Sequence, residues 1–184
     1  MDSRDPLHLH PWLRALWHVL RDELSRAGHQ VALHSTYRSA EVQDRLWRQG
    51  RQDPGPRVTN LRGGQSWHNV TSSDGTPAAA AFDFHWRTPG GGLPFASTHP
   101  WELAGVIGER LGLRWGGRWR PLADRPHLEL PMTLAEAQAT SVQPVPALVI
   151  INGTVHGLLK AAREAPGDVT DGAPGGKHYV NTWR

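Results

Sequence analysis

Side chains able to do chemistry cluster in three short stretches: Gly64-Gln65-Ser66-Trp67-His68-Asn69, Ala79-Ala80-Ala81-Phe82-Asp83-Phe84 and Asp124-Arg125-Pro126-His127-Leu128-Glu129. Two imidazoles and a carboxylate from these stretches would form a nitrogen and oxygen donor set that suits Zn2+ and leaves a fourth tetrahedral corner open for water. A closed structural zinc site would need a fourth protein ligand. The chain has no cysteine, so disulfides, thiolate zinc sites, iron–sulfur clusters and a cysteine nucleophile are excluded, and any metal must sit on His, Asp or Glu. Asp124 lies three residues before His127. A bend at Pro126 would hold its carboxylate beside the metal without making it a ligand, which is the place of a general base. The rival carboxylate is Asp74, but it stands in Ser-Ser-Asp-Gly-Thr-Pro turn chemistry with no strand around it.

The elements that must position these groups are legible in outline. Leu13, Trp17, Leu20 and Leu24 recur at helical spacing from Pro11 to Ala27, with Gly28 placed to end the helix. Gln30 to Ser35 alternates as a strand does, with Val31 and Leu33 on one side. Ser39 can cap a second helix over Ala40 to Gln49, with Glu41 in its first turn. A Pro- and Gly-rich loop over 52–64 leaves room for a short strand at Val58-Thr59, and Val70 to Pro77 looks like a surface insertion. Ala81 to Phe84 is a strand. A third helix runs from Pro100 to Leu111, with Leu103, Ile107 and Leu111 expected on its buried stripe. Leu113 to Trp115 and His127 to Leu130 are short strands flanking a Gly-Gly turn. The whole reads as α+β, a small antiparallel sheet with flanking helices. After Pro131 the composition shifts, so residues 1–131 are expected to form the catalytic domain. Residues 132–184 are expected to be a linker and a small hairpin or tail, with Asn152-Gly153 as the hairpin turn.

Composition narrows the class. The chain has 184 residues, 38% of them hydrophobic and 20% charged, with 11 His, 9 Trp and a formal net charge of +3. That balance argues against wholesale disorder, and no run of about 18 apolar residues could span a bilayer. The basic residues are dispersed arginines with no recognised nucleic-acid reader motif, so nucleic acid is not expected as a partner. The first residues carry acids and a proline, so no signal peptide is read there.

The same residues resemble a known family. Ser66-Trp67-His68-Asn69 followed by Ala79-Ala80-Ala81-Phe82-Asp83 is similar to the S-x-H-x-x-G-x-A-x-D pattern of the zinc D-Ala-D-Ala carboxypeptidases and L-alanyl-D-glutamate endopeptidases, within it the bacteriophage endolysin and spore-type branch. Ser35-Thr36-Tyr37-Arg38-Ser39 with Gln43 and Leu46 resembles the family's helix entry, and Leu111-Gly112-Leu113-Arg114-Trp115-Gly116-Gly117 with Trp119 resembles its L-G-L-x-W-G-G-x-W segment. His68 and Asp83 stand 15 residues apart where the family carries seven, and Ala79 replaces the usual Gly. A looped-out insertion between Asn69 and Ala78 accounts for the first difference.

The resemblance implies a hedgehog-like fold, with zinc on His68, Asp83 and His127 and Asp124 as acid/base. It implies hydrolysis of peptidoglycan stem-peptide amide bonds, foremost the L-alanyl-D-glutamate bond, with the metal's water activated by Asp124. D-Ala-D-Ala carboxypeptidase activity and a non-catalytic zinc-binding module are the alternatives. Arg38 is expected to stabilise a developing oxyanion or hold a substrate carboxylate, although a structural ion pair would also account for it. Asp124 could instead orient His127 from outside the ligand set. Trp67, Trp115, Gln43 and Ser66 are expected to contact substrate, the tryptophans serving equally as cleft wall and packing. The expected partner is the cell wall, met as a monomer after release from the cytoplasm by lysis or a phage holin.

Overall fold

The 3.6-residue apolar period of Pro11–Arg26 folds as α1, with Leu13, Leu16, Leu20 and Leu24 fully buried. Gly28 follows with a φ of +84°, a left-handed conformation that a Cβ would strain. In the computed structural model, residues 1–88, 90, 92–143, 148–151, 154–155 and 178–180 are described. After α1 come β1 (Val31–Ser35), α2 (Ala40–Arg48), β2 (Ala81–Trp86), α3 (Trp101–Arg110), β3 (Arg114–Trp115), β4 (His127–Glu129) and α4 (Leu134–Thr140). The first four strands form one antiparallel sheet in the order β1-β2-β4-β3. The chain is α+β, with the helices flanking a small open sheet.

Alternation along the central strands separates a core face from a polar face. Phe82, Phe84 and Trp86 of β2 and Leu128 of β4 are buried in the hydrophobic core with α1 and α3. Trp17 meets Phe82 edge-on at 5.2 Å, and Phe84 meets Trp101 at 5.5 Å. The intervening Asp83, His127 and Glu129 are thereby turned together onto the opposite face.

Two expectations are corrected. The buried face of α3 runs through Trp101, Ala104, Gly105, Ile107 and Gly108, while Leu103 is exposed. The reason is close approach: a Cβ on Gly105 would stand 2.2 Å from Trp115 Cε3, and one on Gly108 2.5 Å from Leu128 Cδ2. Two glycines, invisible to an apolar count, define the contact. No strand forms at Val58-Thr59. There the Arg51 guanidinium donates to Thr59 O and Asn60 Oδ1, and Gln43 donates to Leu61 O, so side chains satisfy the backbone a ladder would have used.

The packed unit also extends past Pro131. A capping box between Thr133 and Glu136 starts α4. Ala137 is fully buried in the core, and Thr140 Oγ1 bonds His10 Nε2 at 3.1 Å. Further on, β5 (Leu148–Ile151) pairs antiparallel with β6 (Thr154–Val155) and with β7 (His178–Val180). Ile151 pairs with Thr154, leaving two residues for the connection. Asn152-Gly153, expected to make that turn, lie outside the described residues.

Candidate metal centre and catalytic cleft

Two of the three expected ligands meet because of sheet register. Asp83 of β2 is the direct partner of His127 on β4, and such cross-strand neighbours hold their Cβ atoms about 5 Å apart. Asp83 Oδ1 lies 3.0 Å from His127 Nδ1. The third ligand arrives from a single helical turn, Trp67–Asn69, which the Ser66 hydroxyl caps by accepting from His68 N while Asn69 caps in return. That turn is sewn to the end of β1: Arg38 N donates to His68 O at 2.9 Å, and Asn69 Nδ2 donates to Arg38 O at 2.7 Å.

His68 Nδ1 lies 2.6 Å from the Thr36 carbonyl. A carbonyl only accepts, so Nδ1 carries the proton and Nε2 presents its lone pair. His68 Nε2 lies 3.4 Å from Asp83 Oδ1 and 3.4 Å from His127 Nδ1. Donor atoms around a tetrahedral ion with bonds of about 2.0–2.1 Å stand about 3.3 Å apart, so these three atoms fit one small divalent cation. Among the described residues this is the one group of three or more His, Asp or Glu donors close enough to share an ion. Asp74 is not in it. Its carboxylate accepts from the Ser72 hydroxyl and from Thr76 N inside the 70–77 loop, bonds that hold it at a pKa of about 2.

Charge in the metal-free centre is tightly coupled. Burial opposes a charge on Asp83, but the adjoining His68 and His127 imidazoles, when protonated, outweigh it and hold the carboxyl well below its usual range. Burial would likewise lower His127, yet its bonds to Asp83 and Glu129 push it up to about 10. Asp124 moves the other way, raised by burial and by the negative charge of Asp83.

Asp124 lines the same cleft, of about 460 Å³, as His68, Asp83, His127 and Arg38. It is placed by the turn that ends in His127: His127 N bonds Asp124 O, and Asp124 N bonds Gly116 O at 2.9 Å. A Cβ on Gly116 would stand 2.5 Å from Asp124 O, so only glycine permits that approach. Arg38 also faces the cleft. Its Nη2 lies 3.4 Å from Asp83 Oδ2 and 3.1 Å from Ser35 Oγ, and its Nη1 donates to Gln43 Oε1 at 2.9 Å. Arg38 therefore holds the Asp83 oxygen that points away from the ligand group. Gln43 is 1% exposed and its amide donates to Leu61 O and Thr59 Oγ1, so it fixes Arg38 against the 59–61 loop from the cleft floor.

The tryptophans divide. Trp115, expected to contact substrate, is a packing residue, 4% exposed and wedged between Gly105 and Gly117. Its indole N–H donates to Arg125 O at 2.8 Å, bracing the Asp124 turn from behind. Trp67 reaches the cleft, donates to Met132 O and carries the Arg114 guanidinium 5.0 Å above its ring. Trp119 lies 4.9 Å from the His127 ring and forms an exposed cleft wall. The sequence reading missed Glu129, whose Oε2 accepts from His127 Nε2 at 3.0 Å. The signal was available: residues two apart on a strand share a face.

Comparison with known proteins follows the same residues. A family model described as D-alanyl-D-alanine carboxypeptidase matches residues 59–130, the span that holds His68, Asp83, Asp124 and His127. The chain is similar to the peptidoglycan L-alanyl-D-glutamate endopeptidase CwlK of Bacillus subtilis (strain 168), 31% identical over 137 residues, covering 70% of this chain and 77% of that protein.

Proposed function

The chain belongs to the D-alanyl-D-alanine carboxypeptidase family of peptidoglycan peptidases, and from that premise we propose that it is a zinc-dependent endopeptidase cutting the L-alanyl-D-glutamate bond of peptidoglycan stem peptides. The observation that carries this reading is the set of three donor atoms 3.0–3.4 Å apart in a cleft that also holds the Asp124 carboxylate.

His68 Nε2, Asp83 Oδ1 and His127 Nδ1 would hold the ion. When bound, a divalent cation polarises the scissile carbonyl and lowers the pKa of water from about 15.7 toward 7. Asp124 accepts the proton of the attacking water at its carboxylate oxygen and returns it to the leaving amine nitrogen. Arg38, held by Gln43 and Ser35, presents its guanidinium to the cleft, where it stabilises negative charge developing on the carbonyl oxygen or pairs with a substrate carboxylate. Trp119 and Trp67 wall the cleft against bulk water. The choice of the endopeptidase bond rests on the similarity to CwlK.

The description of the matching family model favours a second reading, release of terminal D-Ala. Digestion of purified cell wall separates the two. New N-terminal D-Glu on the fragments supports the endopeptidase, free D-Ala supports the carboxypeptidase, and intact wall in the presence of Zn2+ overturns both.

A further inference from the structure

Glu129 has no part in the mechanism just proposed, yet it is 5% exposed, as buried as the two histidines. A buried carboxylate is costly unless each oxygen is paired, and here each has one partner. Oε2 accepts from His127 Nε2 at 3.0 Å, and Oε1 lies 2.7 Å from Arg114 Nη2. The sheet dictates this arrangement. In the β4 ladder Glu129 has Ala81 opposite it on one side and Arg114 on the other, so a small residue leaves room and a cation supplies the countercharge. Arg114 in turn lies over the Trp67 ring, covering the pair.

We infer that Glu129 is a positioning residue for the metal centre, holding His127 in the tautomer and ring orientation that leaves Nδ1 free to ligate. With an ion held by the Nδ1 lone pair, the one N–H of a neutral imidazole lies on Nε2, where the ionised Glu129, which accepts only, fixes it. The Thr36 carbonyl does the same for His68 through the opposite nitrogen. The two imidazoles therefore ligate through different ring atoms, His68 by Nε2 and His127 by Nδ1, each fixed by an acceptor behind it. In the alternative tautomer His127 would aim an N–H at the ion. Arg114 balances the charge of Glu129 from the other carboxylate oxygen.

This inference rests on the metal reading above, and the experiment separates the two. Zn2+ affinity is measured for the full chain and for Glu129→Gln, Glu129→Ala and Arg114→Gln by competition with a chromophoric chelator, together with the visible spectrum of the Co2+-loaded proteins. Glu129→Ala is expected to weaken Zn2+ binding about 10- to 100-fold and to shift the Co2+ bands. Glu129→Gln, whose amide oxygen still accepts from Nε2, is expected to recover part of the affinity. Arg114→Gln is expected to leave affinity within a few-fold of wild type, because it removes the ion pair and keeps the acceptor. Loss in Arg114→Gln equal to that in Glu129→Ala would show that only the ion pair matters and would overturn the inference. So would a Glu129→Ala protein with unchanged affinity and spectrum. A readout on the unaltered protein stands if the variants fail to fold: nitrogen-15 NMR of the Zn2+-loaded chain is expected to show the His127 proton on Nε2, and a proton on Nδ1 would overturn the proposal. A wild-type chain that holds no Zn2+ would remove the metal reading and this inference with it.

Discussion

Asp83 and His127 face each other across the β2–β4 ladder with Oδ1 3.0 Å from Nδ1, although 44 residues separate them in the chain. The ladder fixes their separation before any ion arrives, and His68 joins from a capped turn on a different part of the chain. Preformed donors spare a metal much of the cost of ordering its ligands.

Stability is therefore expected to rise with metal. Zn2+ at about 100 times its dissociation constant adds about 2.7 kcal/mol, which for a chain of this size raises the melting temperature by about 5–10 °C. Asp83→Ala should abolish the shift. Thermal melts with and without Zn2+ measure it, and an equal shift in both proteins would remove Asp83 from the ligand set.

Asp74→Ala provides the matching control. Its carboxylate is used by Ser72 and Thr76 within the 70–77 loop, so Zn2+ content and wall digestion should match wild type. Loss of bound Zn2+, read by atomic absorption, would restore Asp74 as a ligand.

Asp124→Asn is expected to lower kcat by about 10²- to 10⁴-fold while bound Zn2+ is retained, since Asp124 lines the cleft without entering the three-donor group. Steady-state cleavage of a stem peptide alongside metal analysis checks this. Undiminished lysis by the variant would assign the base role elsewhere.

Gly105→Ala sets two effects against each other. Alanine favours the helix by about 1 kcal/mol, but its Cβ would stand 2.2 Å from the Trp115 ring, and overpacking of that kind costs about 1–3 kcal/mol. Gly117 packs as closely against the same indole. Net destabilisation is expected in urea titration, with a fall in kcat because Trp115 braces the Asp124 turn through Arg125 O.

His10 should make the fold acid-sensitive. Burial lowers its pKa to about 4, while its Nδ1 accepts from Trp12 N and its Nε2 donates to Thr140. The unfolded chain takes up that proton near pH 6.5 and the folded chain only near 4, so stability present above pH 6.5 is lost as the pH falls toward 4. The loss amounts to about 3 kcal/mol. Replacing His10 by Gln should flatten the urea midpoint between pH 7 and 4.5 relative to wild type, and parallel profiles would contradict it.

The four residues in the cleft were nameable from the chain alone because their identities and flanks carry the information. Imidazoles and acids are few, and Ser66-Trp67-His68 and Asp124-Arg125-Pro126-His127 are local patterns. The helices α1 and α2 were legible for a similar reason, since a period of 3.6 residues and a terminal glycine are local facts. Even α4 has a local signal, the capping box of Thr133 and Glu136. What needed the tertiary structure were relationships between distant segments. That Asp83 stands 3.0 Å from His127 depends on the β2–β4 register that sets the two residues opposite each other. That Trp115 packs depends on Gly105, a residue of α3. That Glu129 stands behind His127 depends on Arg114 and Ala81 flanking it across the ladder. Residue chemistry is a local property, but the burial and countercharge that turn it to use come from neighbours that only the folded sheet brings within reach.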